Sequence, residues 1–429
     1  MTTFTAEAYQ NEYLPLGGSD VNAVVTVTAT GGAVAEERPA AAEVVIVDAS
    51  GSMEVPRGKI EAARQATAAA IDCIRDGVEF GVIAGRESAN ALYPRRGGLV
   101  TASERTRAEA KQEAARLDAG GGTAIGAWLR RAGDMFATAP EGVHHAILLT
   151  DGENYSETDA DFAAALTEVE GRFQCDCRGV GADWKVDELR RVASTLLGSV
   201  NIIKDPSEMP ADFRAMMEAA MGKATREVSL RLWTPRGATV KFVSQVAPTI
   251  EDLTQRGVPV NDLTADYPTG AWGTESRDYQ ICVVVNPGAV GDEMLAGRVR
   301  LVEGEEVHSE AKIRAIWTDD EQLSTRISHK VAAYTGQVEL AEAIQDGLEA
   351  RKAGDEATAT FKLGRAVKLA VESGNDETMQ LLQAVVEIDD PATGTVRLRS
   401  HVEKVDEMTL DTRSTKTVRV GPAEPAEPV

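Results

Sequence analysis

Short, uninterrupted runs of apolar residues alternate with longer amphipathic segments through the first half of the chain. A continuous apolar run is typical of a strand that is covered on both faces. The strand-like runs are residues 43–47, 79–84, 143–150, 174–180 and 200–203. The segments between them, such as 59–74 and 124–137, place apolar residues at helical spacing. This alternation predicts a doubly wound α/β domain with a parallel sheet over residues 41–224.

The pattern changes near residue 225. Strand-like segments now follow one another, separated by Pro and Gly turns instead of helices. They are residues 228–233, 238–245, 277–285, 295–302 and 310–317. The pattern predicts an antiparallel β-sandwich over 225–318. Residues 1–40 contain a β-branched strand at 21–28 that has no evident place in the α/β sheet. We expect it to join the sandwich, with the α/β domain inserted between strands of an all-β domain.

Helical patterns return after the predicted sandwich. Helices are predicted at 338–353, 355–371 and 376–386, with a Gly-Asp and a Gly-Asn break between them. Helices of similar length with similar breaks are typical of a short tetratricopeptide-like array, so 319–389 is predicted to be helical. Residues 390–429 are predicted to be a flexible tail, because their Pro-, Ala- and Glu-rich end cannot build a core.

The charge balance narrows the classes of partner. Lys and Arg number 45 against 68 Asp and Glu, giving a net charge of −23. Such a field repels nucleic acids and anionic membrane surfaces. No stretch approaches the roughly 20 apolar residues of a membrane span, and no secretory signal pattern opens the chain. Four cysteines in 429 residues do not form a disulfide framework. We therefore expect a cytoplasmic protein that binds no nucleic acid and has no membrane span.

Oxygen-bearing side chains lie at three loops of the predicted α/β sheet. Asp48, Ser50 and Ser52 form a D-x-S-x-S motif at the end of the first buried strand. Thr123 precedes a predicted helix, and Asp151 follows another buried strand. Because ligands bind where parallel strands end, at one edge of the sheet, we expect these five side chains to converge. Carboxylate and hydroxyl oxygens suit Mg²⁺ or Mn²⁺, and the lack of His and Cys in the set argues against zinc.

A simpler interpretation treats the motif as a turn, with Asp48 and Ser50 capping the next helix. That interpretation does not explain Thr123 and Asp151. Nearby Glu153 and Asn154 are expected to be rim residues that shape a partner surface.

Two residue pairs could in principle carry other chemistry. His144 and His145 lie on one predicted strand, and Cys175 and Cys177 on another. We expect the histidines to be an ordinary pair at a strand end, because no further ligands are evident nearby. We expect the cysteines to be small buried residues.

Residues 40–222 resemble a von Willebrand factor A domain with a complete metal-ion-dependent adhesion site. The resemblance places Asp48, Ser50 and Ser52 in its first loop, Thr123 in the second and Asp151 in the third. In that family the hydroxyls bind the metal directly and at least one aspartate acts through water. The metal keeps an open position for a carboxylate of a partner protein. The resemblance thus implies a protein-binding scaffold without enzymatic activity. The alternative is an accessory subunit of a ring-ATPase chelatase or remodelling complex, with the ATPase supplied in trans.

The end of the chain carries a second resemblance, to actinobacterial proteins encoded beside Ser/Thr kinases, PP2C-type phosphatases and forkhead-associated proteins. The similar segments are residues 266–280, 334–355 and 415–420. Thr415 and Thr417 each have a valine three residues later, Val418 and Val420. Forkhead-associated domains read phosphothreonine together with that position. The resemblance therefore implies Ser/Thr-kinase signalling, with Thr415 or Thr417 as phosphorylation sites. A solvated tail with incidental threonines is the alternative.

Overall fold

The computed structural model describes residues 2–31, 40–56 and 58–421, and these divide into two compact units. One unit, called the α/β unit here, consists of Ala33–Arg226 and Gly270–Gly273. The second unit consists of Met1–Gly32, Glu227–Thr269 and Thr274–Val429. The chain therefore begins in the second unit, forms the α/β unit, and then returns to the second unit.

The first segment of the second unit holds three strands. They are β1 (Thr3–Gln10), β2 (Tyr13–Pro15) and β3 (Asp20–Thr30). The strand predicted at 21–28 lies within β3. The chain then enters the α/β unit.

The α/β unit is a mixed seven-stranded sheet with six helices among its described residues. Its strands are β4 (Ala41–Asp48), β5 (Glu79–Gly85), β6 (Ala89–Tyr93), β7 (Val100–Thr101), β8 (Val143–Thr150), β9 (Gln174–Val180) and β10 (Val200–Ile203). Its helices are α1 (Lys59–Cys73), α2 (Glu104–Ala114), α3 (Ile125–Phe136), α4 (Asp159–Val169), α5 (Val186–Thr195) and α6 (Met209–Met221). The predicted alternation of strands and helices is confirmed here, with bounds that differ by a few residues.

The strand order sets the position of the site. The order is β10-β9-β8-β4-β5-β6, with β7 pairing with β5. Strands β10, β9, β8, β4 and β5 run parallel, whereas β6 and β7 are antiparallel to β5. After β4 the chain goes to β5 on one side and later returns to β8 on the other. The winding direction thus reverses at β4 and β8, and a crevice forms where such strands end.

Strand β4 lies in the middle of this sheet and is buried on both faces. On one face, Val45 and Val47 belong to a core cluster that includes Ile71 of α1 and Phe213 of α6. On the other face, Val44 and Ile46 are both 0% exposed. An uninterrupted apolar strand needs such cover on both faces. Burial of the strand fixes its final residue, Asp48, at the edge of the sheet.

A buried ionic group interrupts the apolar interior of the sheet. His145 on β8 lies between Glu43 on β4 and Asp176 on β9, with Nδ1 2.8 Å from Glu43 Oε2 and Nε2 2.9 Å from Asp176 Oδ2. Burial opposes a charged imidazole, but the two carboxylates outweigh it and raise the pKa of His145 to about 10. The expectation of an ordinary strand-end pair was therefore wrong for His145. The expectation holds for the neighbouring His144, whose ring stacks on that of Phe136 at a centroid separation of 5.2 Å.

The second unit continues beyond α6 with eight strands. They are β11 (Thr225–Trp233), β12 (Thr239–Ala247), β13 (Glu251–Asp252), β14 (Val258–Asn261), β15 (Thr264–Trp272), β16 (Ser276–Val284), β17 (Glu293–Glu303) and β18 (Glu306–Thr318). One sheet has the order β1-β3-β16-β12-β13 and the other β14-β15-β11-β17-β18-β2. Strand β3 pairs with β1 and β16. A β-sandwich with an inserted α/β domain is our interpretation of this order. Strands β13, β14 and β15 were not predicted. In β15, Pro268 and Gly270 interrupt the sequence pattern of a strand.

Four helices follow, and the three predicted ones are present among them. They are α7 (Glu321–Ser324), α8 (His329–Lys352), α9 (Glu356–Glu372) and α10 (Asp376–Val385). Asp355 and Asn375 cap α9 and α10 by accepting hydrogen bonds from the N–H groups of Thr358 and Thr378. These caps explain the repeated Gly-Asp and Gly-Asn breaks. The tetratricopeptide-like arrangement remains our interpretation.

The prediction of a flexible tail from residue 390 was wrong for residues that follow α10. Strands β19 (Val386–Asp390) and β20 (Thr395–Leu398) form a hairpin, and α11 (Lys404–Arg413) follows. Val396 and Leu410 are buried in one core cluster with residues of α8, α9 and α10. These few apolar residues suffice because they bury their surface against apolar side chains of α8, α9 and α10. Residues 422–429 of the predicted tail lie outside the described residues.

Within the described part of the chain, no helix is both long enough and apolar enough to cross a lipid bilayer.

Candidate metal centre

Asp48 is the anchor of the site at the end of β4. Its Oδ1 accepts the N–H of Ser50 at 2.8 Å, and its Oδ2 accepts the hydroxyl of Thr150 at 2.6 Å. Thr150 is the last residue of β8, so the bond joins the ends of two neighbouring parallel strands. Asp48 is 0% exposed, and both of its carboxylate oxygens have partners.

The two serines of the motif connect Asp48 to the loop after β8. Ser50 Oγ lies 2.9 Å from Ser52 Oγ, and Ser52 Oγ donates to Asp151 Oδ1 at 2.6 Å. Asp151 is fully buried, whereas Ser52 is exposed. The capping interpretation does not describe Ser50, because its side chain makes no cap bond and α1 begins only at Lys59.

The glycine-rich loop before α3 brings Thr123 to the same place. Gly120 N–H donates to Ala49 O at 2.8 Å, and Gly51 N–H donates to Gly121 O at 3.0 Å. These two bonds hold the second loop against the first. Gly121 has a φ of +83°, which favours glycine at that turn.

Gly152 shows how closely the hydroxyls converge. A Cβ at this position would lie 3.2 Å from Ser52 Oγ and 3.4 Å from Thr123 Oγ1. The two hydroxyls therefore border one small space that the glycine leaves open. Hydrogen bonds link Asp48, Ser50, Ser52 and Asp151 in a chain. Thr123 joins them across the space beside Gly152, so the five sequence-predicted residues lie close together.

The chemistry of these donors fits a hard divalent cation. The set combines three hydroxyls with two carboxylates, which Mg²⁺ or Mn²⁺ accepts. Across residues 2–31, 40–56 and 58–421, no group of three or more His, Cys, Asp or Glu side chains is arranged to hold a metal. An ion at these loops would therefore depend on the serine and threonine oxygens.

The electrostatics of the cluster follow from its burial. Burial raises the pKa of Asp48 to about 6, although hydrogen bonds from Ser50 and Thr150 act in the opposite direction. The neighbouring charge of Asp151 adds to the rise. A cation close to the two carboxylates would relieve this unfavourable burial of negative charge.

Lys59 is a member of the cluster that sequence reasoning missed. Its Nζ donates to Asp151 Oδ2, and it lies 3.5 Å from the backbone oxygen of Ser52. Its side chain is only 4% exposed. One signal was present in the sequence, because a lysine in the first turn of a helix opposes the helix dipole and needs an explanation.

The residues predicted for the rim have separate roles. Glu153 forms an ion pair with Lys185 at 2.9 Å. Asn154 Oδ1 accepts the N–H of Ile125 at 2.8 Å, which ties the third loop to the start of α3. Tyr155 is 76% exposed beside them. Asn154 thus helps to position α3, and a role of Glu153 and Asn154 in shaping a partner surface stays a prediction.

The predicted sites in the tail lie on the second unit. The segment 415–420 is held by backbone hydrogen bonds, because Ile250 N–H donates to Thr415 O at 2.8 Å and Thr417 N–H donates to Pro248 O at 3.1 Å. Gln337 bonds both the N–H and the carbonyl of Val418. Thr417 Oγ1 is buried, and it has no hydrogen-bond partner among the described residues.

The paired cysteines lie buried on β9. The sulfurs of Cys175 and Cys177 are 4.0 Å apart, and both thiols are free. This is the arrangement expected of small buried residues.

Comparison with known proteins gives matches in both units. A family model described as von Willebrand factor type A domain matches residues 42–202. Another, described as von Willebrand factor type A C-terminal domain, matches residues 368–414. A solved structure, a von Willebrand factor type A protein from Catenulispora acidiphila, is 52% identical with a TM-score of 0.93 and 97% coverage of each chain.

Two further relatives are more distant. The ArnB paralog VWA2 from Sulfolobus acidocaldarius has a TM-score of 0.58 at 15% identity, covering 97% of this chain and 98% of that one. That likeness is one of fold alone. An uncharacterised protein of Synechocystis sp. is 29% identical over 236 residues, which are 52% of this chain and 54% of the relative. The chain thus spans about half the length of the curated relative it matches.

Proposed function

Because the chain belongs to the von Willebrand factor type A family, we propose that its α/β unit captures an acidic residue of a partner protein through a bound divalent cation. Proteins of this family typically mediate protein–protein interaction. The cation is Mg²⁺ or Mn²⁺. The residues that would hold it are Asp48, Ser50, Ser52, Thr123 and Asp151.

The observation that carries this proposal is the meeting of three loops at Gly152. Hydroxyls from the first and second loops border the space beside this residue of the third loop. When bound, the metal would supply a positive charge that attracts an outside carboxylate. Hydrogen bonds orient the two carboxylates of the site. Thr150 donates to Asp48, and Ser52 donates to Asp151. The function is binding rather than turnover.

The proposal is tested by calorimetry of the full chain with MgCl₂ and with MnCl₂. Asp48→Ala is expected to abolish heat from ion uptake, whereas Asp187→Ala, which removes an exposed carboxylate on α5, should behave as wild type. Affinity capture of partners should then require the ion and fail with chelator. Equal ion uptake by wild type and Asp48→Ala would overturn the proposal.

We further propose that this cytoplasmic scaffold works in Ser/Thr-kinase signalling, with Thr415 or Thr417 phosphorylated and then read by a forkhead-associated domain. The basic character of the segment supports the idea, with Lys416 and Arg419 beside the threonines. The buried Thr417 hydroxyl adds a condition, since segment 415–420 must leave its binding surface before a kinase can reach it. Phosphopeptide mapping of the protein from its native cells tests this. Unmodified threonines under kinase-activating conditions would contradict it.

A further inference from the structure

We propose that Lys59 is a built-in counter-charge that makes the bound metal attract an outside carboxylate more strongly, at the expense of metal affinity. The inference rests on the metal-dependent function proposed above. It concerns a residue outside the ligand set, so Lys59 is a positioning residue that acts through Asp151.

The contacts of Asp151 place Lys59 in the cluster. Ser52 Oγ donates to Asp151 Oδ1 at 2.6 Å, while Lys59 Nζ donates to Oδ2. Ser52 and Lys59 thus each bind one oxygen of the Asp151 carboxylate. Lys59 and Asp151 are 4% and 0% exposed, so solvent and salt screen this ion pair poorly.

The position of Lys59 is electrostatically costly in other respects. It is the first residue of α1, where the positive end of the helix dipole disfavours a cation. Burial of an ammonium group is also unfavourable unless a paired charge offsets it. Asp151 provides that charge. If Lys59 had only a structural role, that role would be to neutralise the buried carboxylate of Asp151.

The sum of the charges in the metal-loaded cluster gives Lys59 a further role. The carboxylates of Asp48 and Asp151 together cancel the charge of a divalent ion. The ammonium of Lys59 then leaves one positive charge in excess within the buried cluster. An incoming carboxylate is attracted by this excess, and the metal itself is held less tightly because Lys59 repels it. Removal of the lysine charge should therefore strengthen metal binding and weaken carboxylate binding.

The test uses Lys59→Met, which keeps the length of the side chain, and Lys59→Arg, which keeps the charge. Lys185→Met is the matched control, because it removes a lysine that pairs with Glu153 near the site. Mn²⁺ affinity is measured by calorimetry. Acetate is then titrated into the Mn²⁺-loaded proteins, and displacement of metal-bound water is followed by water-proton relaxation.

We expect Lys59→Met to bind Mn²⁺ at least about tenfold more tightly than wild type and acetate several-fold more weakly. Lys59→Arg and Lys185→Met should stay close to wild type in both measurements. If Lys59→Met fails to fold, Lys59→Gln carries the same expectation, since it retains a donor for Asp151 without the charge.

The outcomes separate this inference from the proposed function. If wild-type protein takes up no Mn²⁺ or Mg²⁺, the proposed function itself fails. If wild type binds the ion and Lys59→Met binds it equally or more weakly, only the role of Lys59 fails, and the lysine is a structural partner of Asp151.

Discussion

Thr150 and Asp48 end neighbouring parallel strands and are joined by a hydrogen bond of 2.6 Å from the threonine hydroxyl to the aspartate carboxylate. Both residues are fully buried. The bond links the first loop of the site directly to the strand that leads into the third. The geometry of the metal centre therefore depends on a residue that is not among the five proposed ligands.

Replacement of Thr150 by valine should test this link. Thr150→Val keeps the shape of the side chain but leaves Asp48 Oδ2 buried without its donor. We expect a loss of about 1–3 kcal/mol in the free energy of unfolding, together with weaker Mg²⁺ binding. Urea denaturation and calorimetry measure the two effects. Thr150→Ser, which retains the hydroxyl, should lose much less, and equal losses in both variants would contradict the role of the bond.

Gly152→Ala should block the centre without unfolding it. The new methyl group would lie 3.2 Å from Ser52 Oγ and 3.4 Å from Thr123 Oγ1, in the space where the hydroxyls meet. We expect Mg²⁺ affinity to fall at least about tenfold, a free-energy change of about 1.4 kcal/mol, while the melting temperature of the metal-free protein changes little. Gly336→Ala is the control, because a methyl group there meets no atom within 4 Å. Unchanged affinity in Gly152→Ala would show that the ion does not bind in this space.

The buried imidazole of His145 should make stability depend on pH. Its pKa in the folded chain is raised to about 10 from an ordinary value of 6.5. Its stabilising contribution is therefore complete below about pH 6.5 and is lost as pH rises towards 10, because the unfolded chain releases the proton first. The facing groups are Glu43 on β4 and Asp176 on β9, with Arg75 near Glu43 and Arg178 near Asp176.

Urea unfolding at a series of pH values from 6 to 10 provides the measurement. The unfolding free energy of wild type should fall over this range, and most of that fall should disappear in His145→Gln, which cannot carry the charge. His144→Gln should retain the wild-type slope. The same slope in wild type and His145→Gln would contradict the charged state of the buried imidazole.

Leu410→Ala should show that the end of the chain is part of the folded core. Leu410 of α11 is fully buried with residues of α8, α9 and α10. We expect a loss of about 2–5 kcal/mol in unfolding free energy, because a buried leucine is replaced by a cavity. Val418→Ala, which shortens a side chain that is 56% exposed, should change little. Equal small effects would mean that α11 does not support the helical core.

The sequence by itself determined the elements whose cause is local. The apolar run at 43–47 predicts a strand covered on both faces. The Gly-Asp pair at 354–355 and the Gly-Asn pair at 374–375 mark the breaks between helices. The D-x-S-x-S motif lies at the end of such a strand, so topology alone indicates that Asp48 meets Thr123 and Asp151.

Only the tertiary structure decided the partners of groups that are far apart in sequence. Nothing local in the sequence pairs His145 with Glu43 and Asp176, or Lys59 with Asp151, because each pairing depends on which strands or loops become neighbours. The same holds for Leu410, whose short helix has too few apolar residues to predict burial until a core is present to receive it. Burial and charge pairing are properties of the folded chain. They determine the electrostatics of the site, whereas the sequence predicts only which oxygen-bearing side chains belong to it.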